Sequence, residues 1–217
     1  MQLHIYMVPG LAASKSIFKH LEFENPQITT HILEWMLPLK KESLQAYAQR
    51  MAARINTKNN LLVGVSFGGI LVQEMSQYLN NPKVIIISSI KTKFELPPRL
   101  HWARRLRLYK LLPFNTILKQ PDLTKFAIGP RSKKRLEAYQ YYLSVRHAGY
   151  LRWAIKALLF WDRVETIPDL IHLHGTADAV FPIQYISGSE TLEGGTHIMI
   201  LKNAKWVSRK IIECVEN

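Results

Sequence analysis

The pentapeptide Gly64-Val65-Ser66-Phe67-Gly68 constrains the fold more than any other feature of this sequence, because it separates two segments of different periodicity. The preceding residues Leu61–Val63 form an apolar run of strand length. The apolar residues that follow recur at helical spacing, namely Ile70, Leu71, Met75, Tyr78 and Leu79. The pattern predicts a strand, a sharp turn and a helix, with Ser66 at the apex of the turn.

Glycine at positions 64 and 68 suits such a turn, since a Cβ on either side of the serine would collide with the strand or the helix. The Ser66 hydroxyl would then stand clear of the sheet at a helix N-terminus. There the backbone N–H of Phe67 and the positive end of the helix dipole would face a developing oxyanion. The pentapeptide alone is weak evidence for a reactive serine, because glycine and serine are common residues. Ser66 could also be a helix N-cap.

Two later stretches add an acid and a base in a consistent order. The first, LIHLHGTADAVFP, is a strand-like run that ends at His174-Gly175 and is followed by Asp178. The second, Gly194-Gly195-Thr196-His197, is a glycine-bearing loop that ends in a histidine. A serine hydroxyl needs a base to become a nucleophile near neutral pH, and His197 could supply it while Asp178 orients the imidazole. Alone, Asp178 could be a turn residue and His197 a solvated loop side chain.

Together these three stretches resemble the α/β-hydrolase family, whose members carry a G-x-S-x-G elbow, an H-G-x-x-D acid loop and a G-x-H base loop in that order. The resemblance implies that Ser66, Asp178 and His197 are catalytic and that Gly64 and Gly68 form the elbow. It also implies an oxyanion hole made by the N–H groups of two residues, Phe67 and Leu11.

Leu11 receives this role because it follows Gly10 in the loop after the first predicted strand. Pro9 stands where the family usually has histidine, which is a departure that leaves the backbone N–H of Leu11 in place. The alternative is that Pro9-Gly10 is simply a turn.

The rest of the chain predicts an α/β fold. Strand-like runs occupy Leu3–Val8, Ile28–Trp35 and Val84–Ser88, and apolar residues from Leu44 to Ile55 recur at helical spacing. Alternating strands and helices favour a mostly parallel, doubly wound sheet with helices on both faces. We expect about six strands, the last near residues 190–193, and only a short turn or reduced helix within Phe181–Ser189.

Residues 91–163 contain no clear strand but three segments with helical patterns, at 99–112, 132–145 and 150–161. The family resemblance implies that this stretch is a helical cap inserted into a core formed by residues 1–90 and 164–217. The stretch holds 17 basic and 4 acidic residues, whereas the remainder holds 12 of each, so it carries the whole net charge of +13. The charge could attract anionic substrates or an anionic membrane surface, or it could reflect solvated helix faces.

Other classes of function find little support. The sequence lacks nucleotide-binding glycine motifs and any nucleic-acid recognition motif, and the single Cys214 excludes an intrachain disulfide. His172 and His174 share a strand face but have no partnering acid cluster, so no metal and no cofactor are expected. No signal-like or membrane-spanning apolar run is present, and a cytoplasmic protein is the expectation.

The family resemblance implies acyl transfer to water through an acyl-enzyme, with a small-molecule carboxylic ester as the expected substrate and a thioester as the next choice. Two alternatives stay open. The same three residues could serve carbon–carbon bond cleavage or lyase chemistry, because a fold does not fix function. The chain could also be a non-catalytic protein that binds anionic surfaces through residues 91–163.

Overall fold

The computed structural model describes residues 2–111 and 141–216. Six strands form one sheet in the order β2-β1-β3-β4-β5-β6, and every neighbouring pair is parallel. The strands are β1 (Leu3–Val8), β2 (Ile28–Ile32), β3 (Asn60–Val65), β4 (Lys83–Ile87), β5 (Ile171–Gly175) and β6 (Glu190–Leu192). The predicted six-stranded α/β sheet is confirmed, and all of its pairs are parallel.

Six α-helices lie within the described residues. They are α1 (Leu44–Ala52), α2 (Phe67–Met75), α3 (Pro98–Arg105), α4 (Ala148–Phe160), α5 (Met199–Lys202) and α6 (Ala204–Glu216). The Ser43 hydroxyl caps α1 by accepting the Ala46 N–H at 3.1 Å. The helical pattern after the elbow extends too far in the prediction, because α2 ends at Met75 and Tyr78 is exposed in a 3₁₀ turn.

Helices cover both faces of the sheet because alternate strand residues point to opposite sides. On one face Tyr6, Val8 and Leu62 pack with α1 and α2. On the other face Ile5 and Met7 pack with α5, α6 and the 3₁₀ helix Lys15–Phe18. Every residue of β3 is buried, as expected for a central strand of a parallel sheet.

The connections that leave β1 and β3 run in opposite directions along the sheet, since β2 lies on the outer side of β1 and β4 on the far side of β3. In open parallel sheets, ligands bind at the carboxyl ends of the strands where the order reverses in this way. The loop after β1 and the turn after β3 therefore flank the crevice in which a site is expected.

Helix α4 packs against the α1–α2 side of the core through the buried residues Tyr150, Leu151 and Ala154. At its C-terminal end, the buried Glu74 carboxylate accepts the Trp161 Nε1–H at 3.0 Å and the Arg163 Nη2–H at 3.0 Å. This pair of contacts joins the end of residues 91–163 to the end of α2.

Helix α4 coincides with the segment predicted at 150–161, whereas α3 covers only the first part of the segment predicted at 99–112 and ends at Arg105. Most of the segment predicted at 132–145 lies outside the described residues. The division into a core and a cap remains a prediction. Between Asp178 and His197 a single 3₁₀ turn, Ile183–Tyr185, takes the place of a full helix. None of the described helices combines the length and the apolar character needed to cross a bilayer.

Candidate active site

Ser66 occupies a strained backbone conformation at the carboxyl end of β3, with φ 53° and ψ −120°. L residues rarely adopt such angles, and they persist where the surrounding structure holds them in place. Two hydrogen bonds do so here: the Ser66 N–H donates to the Ile87 carbonyl at 2.9 Å, and the buried Ser89 hydroxyl donates to the Ser66 carbonyl at 2.7 Å. The turn is therefore fixed from the neighbouring strand β4 and the residues that follow it.

Glycine is required on both sides of Ser66. A Cβ at Gly64 would overlap the carbonyl group of Gly68, and a Cβ at Gly68 would overlap the carbonyl oxygens of Val8 and Pro9. The elbow thus brings strand β3, helix α2 and the end of β1 closer together than side chains would allow.

The side chains of Ser66, His197 and Asp178 form one hydrogen-bonded row. His197 Nε2 lies 3.0 Å from Ser66 Oγ, and His197 Nδ1 lies 2.8 Å from Asp178 Oδ2. The Ser66 side chain makes no helix-capping bond. The Asp178 side chain is fully buried, whereas that of His197 is 22 % exposed. The three residues predicted from separate stretches of the sequence therefore meet at the carboxyl edge of the sheet.

The Asp178 carboxylate is held by a complete set of donors. Oδ1 accepts the backbone N–H groups of Val180 at 2.7 Å and Phe181 at 2.9 Å, which leaves Oδ2 to His197. Burial alone would raise the pKa of Asp178, but the hydrogen bonds from His197 and the Phe181 N–H hold that pKa below its usual value.

The ionised carboxylate fixes the His197 tautomer. An ionised Asp178 can only accept, so His197 Nδ1 carries the proton and Nε2 presents its lone pair to the Ser66 hydroxyl. This is the arrangement in which an imidazole can remove the serine proton.

Two further histidines, His172 and His174, lie near Asp178, and the sequence assigns neither of them a catalytic role. His174 is fully buried, and its Nε2 lies 2.8 Å from the Phe181 carbonyl oxygen and 3.7 Å from Asp178 Oδ2. Its Nδ1 lies 3.1 Å from His172 Nε2. Burial lowers the pKa of both His172 and His174, so both rings are neutral near pH 7.

If the rings of His172 and His174 are both neutral, only one assignment of donors and acceptors fits their hydrogen bonds. The Phe181 carbonyl can only accept, so His174 Nε2 donates to it and His174 Nδ1 accepts from His172 Nε2. Phe181 in turn binds Asp178 through its N–H and packs its ring edge-on against the His197 ring, with centroids 5.6 Å apart. His174 thus supports Phe181, which contacts both Asp178 and His197.

Leu11 lies in the loop that flanks Ser66 on the β1 side. The loop is close to the elbow, since a Cβ at Gly10 would lie 3.5 Å from the Ser66 Cβ. Trp35 Nε1–H and the Ala13 N–H both donate to the Gly10 carbonyl, each at 3.0 Å. These two bonds hold the Gly10 carbonyl and so fix the peptide that carries the Leu11 N–H.

Phe67 provides the other predicted donor at the first position of α2, where a helix leaves its N–H groups without intrahelical partners. Among the described residues, neither the Leu11 N–H nor the Phe67 N–H donates to a backbone carbonyl outside a helix or strand. The buried Phe67 ring stacks on Trp35 with centroids 5.3 Å apart, which joins the elbow to the loop that Trp35 supports.

A cavity of about 910 Å³ lies between residues 37–45 and helix α4. Trp153 forms part of its wall and donates its Nε1–H to the Glu42 carbonyl at 2.9 Å. Ser66, Asp178 and His197 do not line it. No group of three or more His, Cys, Asp or Glu side chains within the described residues is arranged to hold a metal ion.

Comparison by sequence finds no matching family model and no matching curated protein. Comparison of structures finds a lipase-esterase related protein from Clostridium acetobutylicum, with a TM-score of 0.66 and 18% identity over 97% of this chain and 93% of that one. An epoxide hydrolase from Bacillus megaterium gives 0.69 and 11% over 100% and 94%. The RedJ thioesterase of prodiginine biosynthesis in Streptomyces coelicolor gives 0.59 and 16% over 96% and 90%.

These similarities extend over nearly the whole length of each chain and agree with the six-stranded parallel sheet and its helices. The protein has the α/β-hydrolase fold, as its sequence motifs predict. At such low identity the similarity concerns the fold, and the reaction has to be argued from the site itself.

Proposed function

We propose that this protein is a serine hydrolase that cleaves a small-molecule carboxylic ester or thioester through an acyl-enzyme. The single observation that carries the proposal is the row Ser66–His197–Asp178, with 3.0 Å and 2.8 Å between successive partners and the serine on a strained, glycine-flanked elbow. A serine that served only to cap α2 would have no need of an imidazole on its hydroxyl.

In the acylation step, His197 Nε2 takes the Ser66 proton while Oγ attacks the substrate carbonyl. Asp178 keeps His197 in the required tautomer and stabilises the imidazolium that forms. The N–H groups of Phe67 and Leu11 donate to the oxyanion of the tetrahedral intermediate. The imidazolium then protonates the leaving alcohol or thiol, and the acyl group remains on Ser66.

In the deacylation step, His197 takes a proton from water, which attacks the acyl carbonyl. Collapse of the second tetrahedral intermediate releases the carboxylic acid and returns the proton to Ser66. The 22 % exposure of the His197 side chain agrees with this step, because water can approach the base from the crevice. We further propose that residues 91–163 form a cap that narrows this crevice, with α4 as its attachment to the core.

An aryl-ester series of increasing acyl length tests the proposal, with Ser66→Ala as the blank. The proposal expects turnover by the wild-type protein that falls by several orders of magnitude in Ser66→Ala and in His197→Ala. Equal turnover by wild type and Ser66→Ala would contradict it. The acyl length at which turnover is highest reports the size of the acyl site.

A further inference from the structure

The segment that begins with α3 exposes an unusual number of large apolar side chains. Trp102 is 58% exposed, Leu106 is 60% exposed and Leu111 is 76% exposed, and Leu108 lies exposed between them. Single exposed apolar residues are ordinary, but four within ten residues of chain form a patch of the kind that marks an interaction site. We call six of the exposed residues of this stretch the α3 surface: Trp102, Arg105, Leu106, Leu108, Lys110 and Leu111.

The exposed charges of residues 91–111 are all positive. Residues 91–111 contain seven basic side chains and one acid, Glu95. Glu95 is buried and accepts the Lys91 N–H at 2.6 Å, so it faces away from the α3 surface. Arg105 lies over the Trp102 ring at 5.9 Å from its centroid. The α3 surface therefore interleaves cations with apolar groups, and residues 91–111 themselves contribute no exposed carboxylate.

The first turn of α3 contacts the loop that carries Asp178. Arg99, at the start of α3, donates through Nη2 to the carbonyl oxygens of Ala179 and Val180, both at 2.6 Å. These residues follow Asp178 directly, and Val180 also donates to the Asp178 carboxylate. A partner that binds α3 would therefore lie near the loop that carries Asp178.

We propose that the α3 surface binds the surface of an anionic lipid bilayer. Cations such as Arg105 and Lys110 would contact lipid phosphates, while Trp102 and the leucines enter the boundary between headgroups and acyl chains. An acidic polypeptide would satisfy the cations but not the four exposed apolar groups.

Flotation with vesicles tests the proposal, using phosphatidylcholine with and without phosphatidylglycerol at low and high salt. The wild-type protein is expected to bind the anionic vesicles, with binding that weakens as salt rises. Removing two cations in Arg105→Gln/Lys110→Gln should weaken binding roughly 30-fold, since each basic residue near an anionic membrane contributes about a fivefold factor. Trp102→Ala should remove much of the binding that persists at high salt.

Lys205→Gln/Arg209→Gln is the matched control, because it removes the same charge from two exposed positions on α6, on the opposite face of the sheet. It should bind anionic vesicles as the wild type does. Absence of wild-type binding, an equal loss in the control, or tighter binding to polyglutamate than to vesicles would each overturn the proposal. Turnover of a water-soluble ester tests the proposed hydrolase activity separately, and it should be unchanged in all of these variants. Loss of turnover in Arg105→Gln/Lys110→Gln would show damage to the Asp178 loop and would overturn a role in binding alone.

Discussion

Replacing His174 by leucine tests whether the buried histidine supports the acid loop. Leucine is of similar size but cannot donate to the Phe181 carbonyl, which His174 Nε2 binds at 2.8 Å. A buried carbonyl left without its donor costs about 1–3 kcal/mol of unfolding free energy. Glutamine at the same position retains an N–H donor of similar reach, so His174→Gln should lose less than about 1 kcal/mol.

The same substitution changes the pH dependence of stability. Burial lowers the pKa of His174 in the folded protein, so below the ordinary value of 6.5 the unfolded chain binds a proton that the folded chain does not. The contribution of His174 to the free energy of unfolding is therefore fully present above pH 6.5, and it is lost as the pH falls from 6.5 toward the lower pKa that His174 has in the folded protein. This single group contributes up to about 1.4 kcal/mol per pH unit in that window, and His174→Leu removes the contribution.

Urea unfolding at pH 7.5 and pH 5.5 measures both effects. We expect His174→Leu to be less stable than the wild type at pH 7.5, and to lose less further stability on acidification. Ester turnover by His174→Leu should fall in kcat with little change in KM, because Phe181 positions Asp178 and His197 rather than the substrate. Two results together would refute the hydrogen bonds assigned from His172 through His174 to the Phe181 carbonyl. They are equal stability of His174→Leu and the wild type at pH 7.5, and equal loss of stability by both proteins between pH 7.5 and pH 5.5.

Three further substitutions test other parts of the structure. Asp178→Asn should lower kcat for ester turnover by up to about 10⁴-fold, because the amide favours the wrong His197 tautomer; an active variant would show that the acid is misassigned. Gly68→Val should cost more than about 3 kcal/mol in thermal or urea unfolding because of the carbonyl overlap, whereas Gly10→Ala, where a Cβ meets only ordinary contacts, should be tolerated. Tyr47→Phe leaves the Met36 N–H and carbonyl without the hydroxyl that each contacts at 2.9 Å, so a loss of about 1–3 kcal/mol in urea unfolding is expected, and no loss would contradict the assigned bonds.

Much of the fold follows from local patterns that sequence displays directly. The strands β1, β3 and β4 consist mainly of buried apolar residues, and the elbow is marked by glycines whose hydrogen atoms are the only substituents that fit. The position of Ser66, Asp178 and His197 at one edge follows because carboxyl ends of parallel strands lie together. These features are set by backbone geometry, which leaves a short-range signature.

The supporting contacts leave no such signature, because each depends on which distant residues pack together. Ser89 donates to the Ser66 carbonyl from the end of the neighbouring strand β4, and Trp35 donates to the Gly10 carbonyl 25 residues away in sequence. His174 contacts Phe181 only because the loop that carries Asp178 turns back toward it. The helical spacing of residues 150–161 predicts α4 but not its attachment to the core, which depends on the buried pair of Trp161 and Glu74. Tyr78 fits the apolar stripe of α2 by spacing, yet α2 ends before it.

Intact-mass analysis after treatment with a fluorophosphonate tests the central claim most directly, since this reagent reacts with an activated serine hydroxyl. The account predicts one adduct per chain on the wild-type protein, located at Ser66 by peptide mapping, no adduct on Ser66→Ala, and greatly slowed labelling of His197→Ala. A folded wild-type protein that acquires no adduct, or one labelled equally fast without the 197 imidazole, would contradict the account.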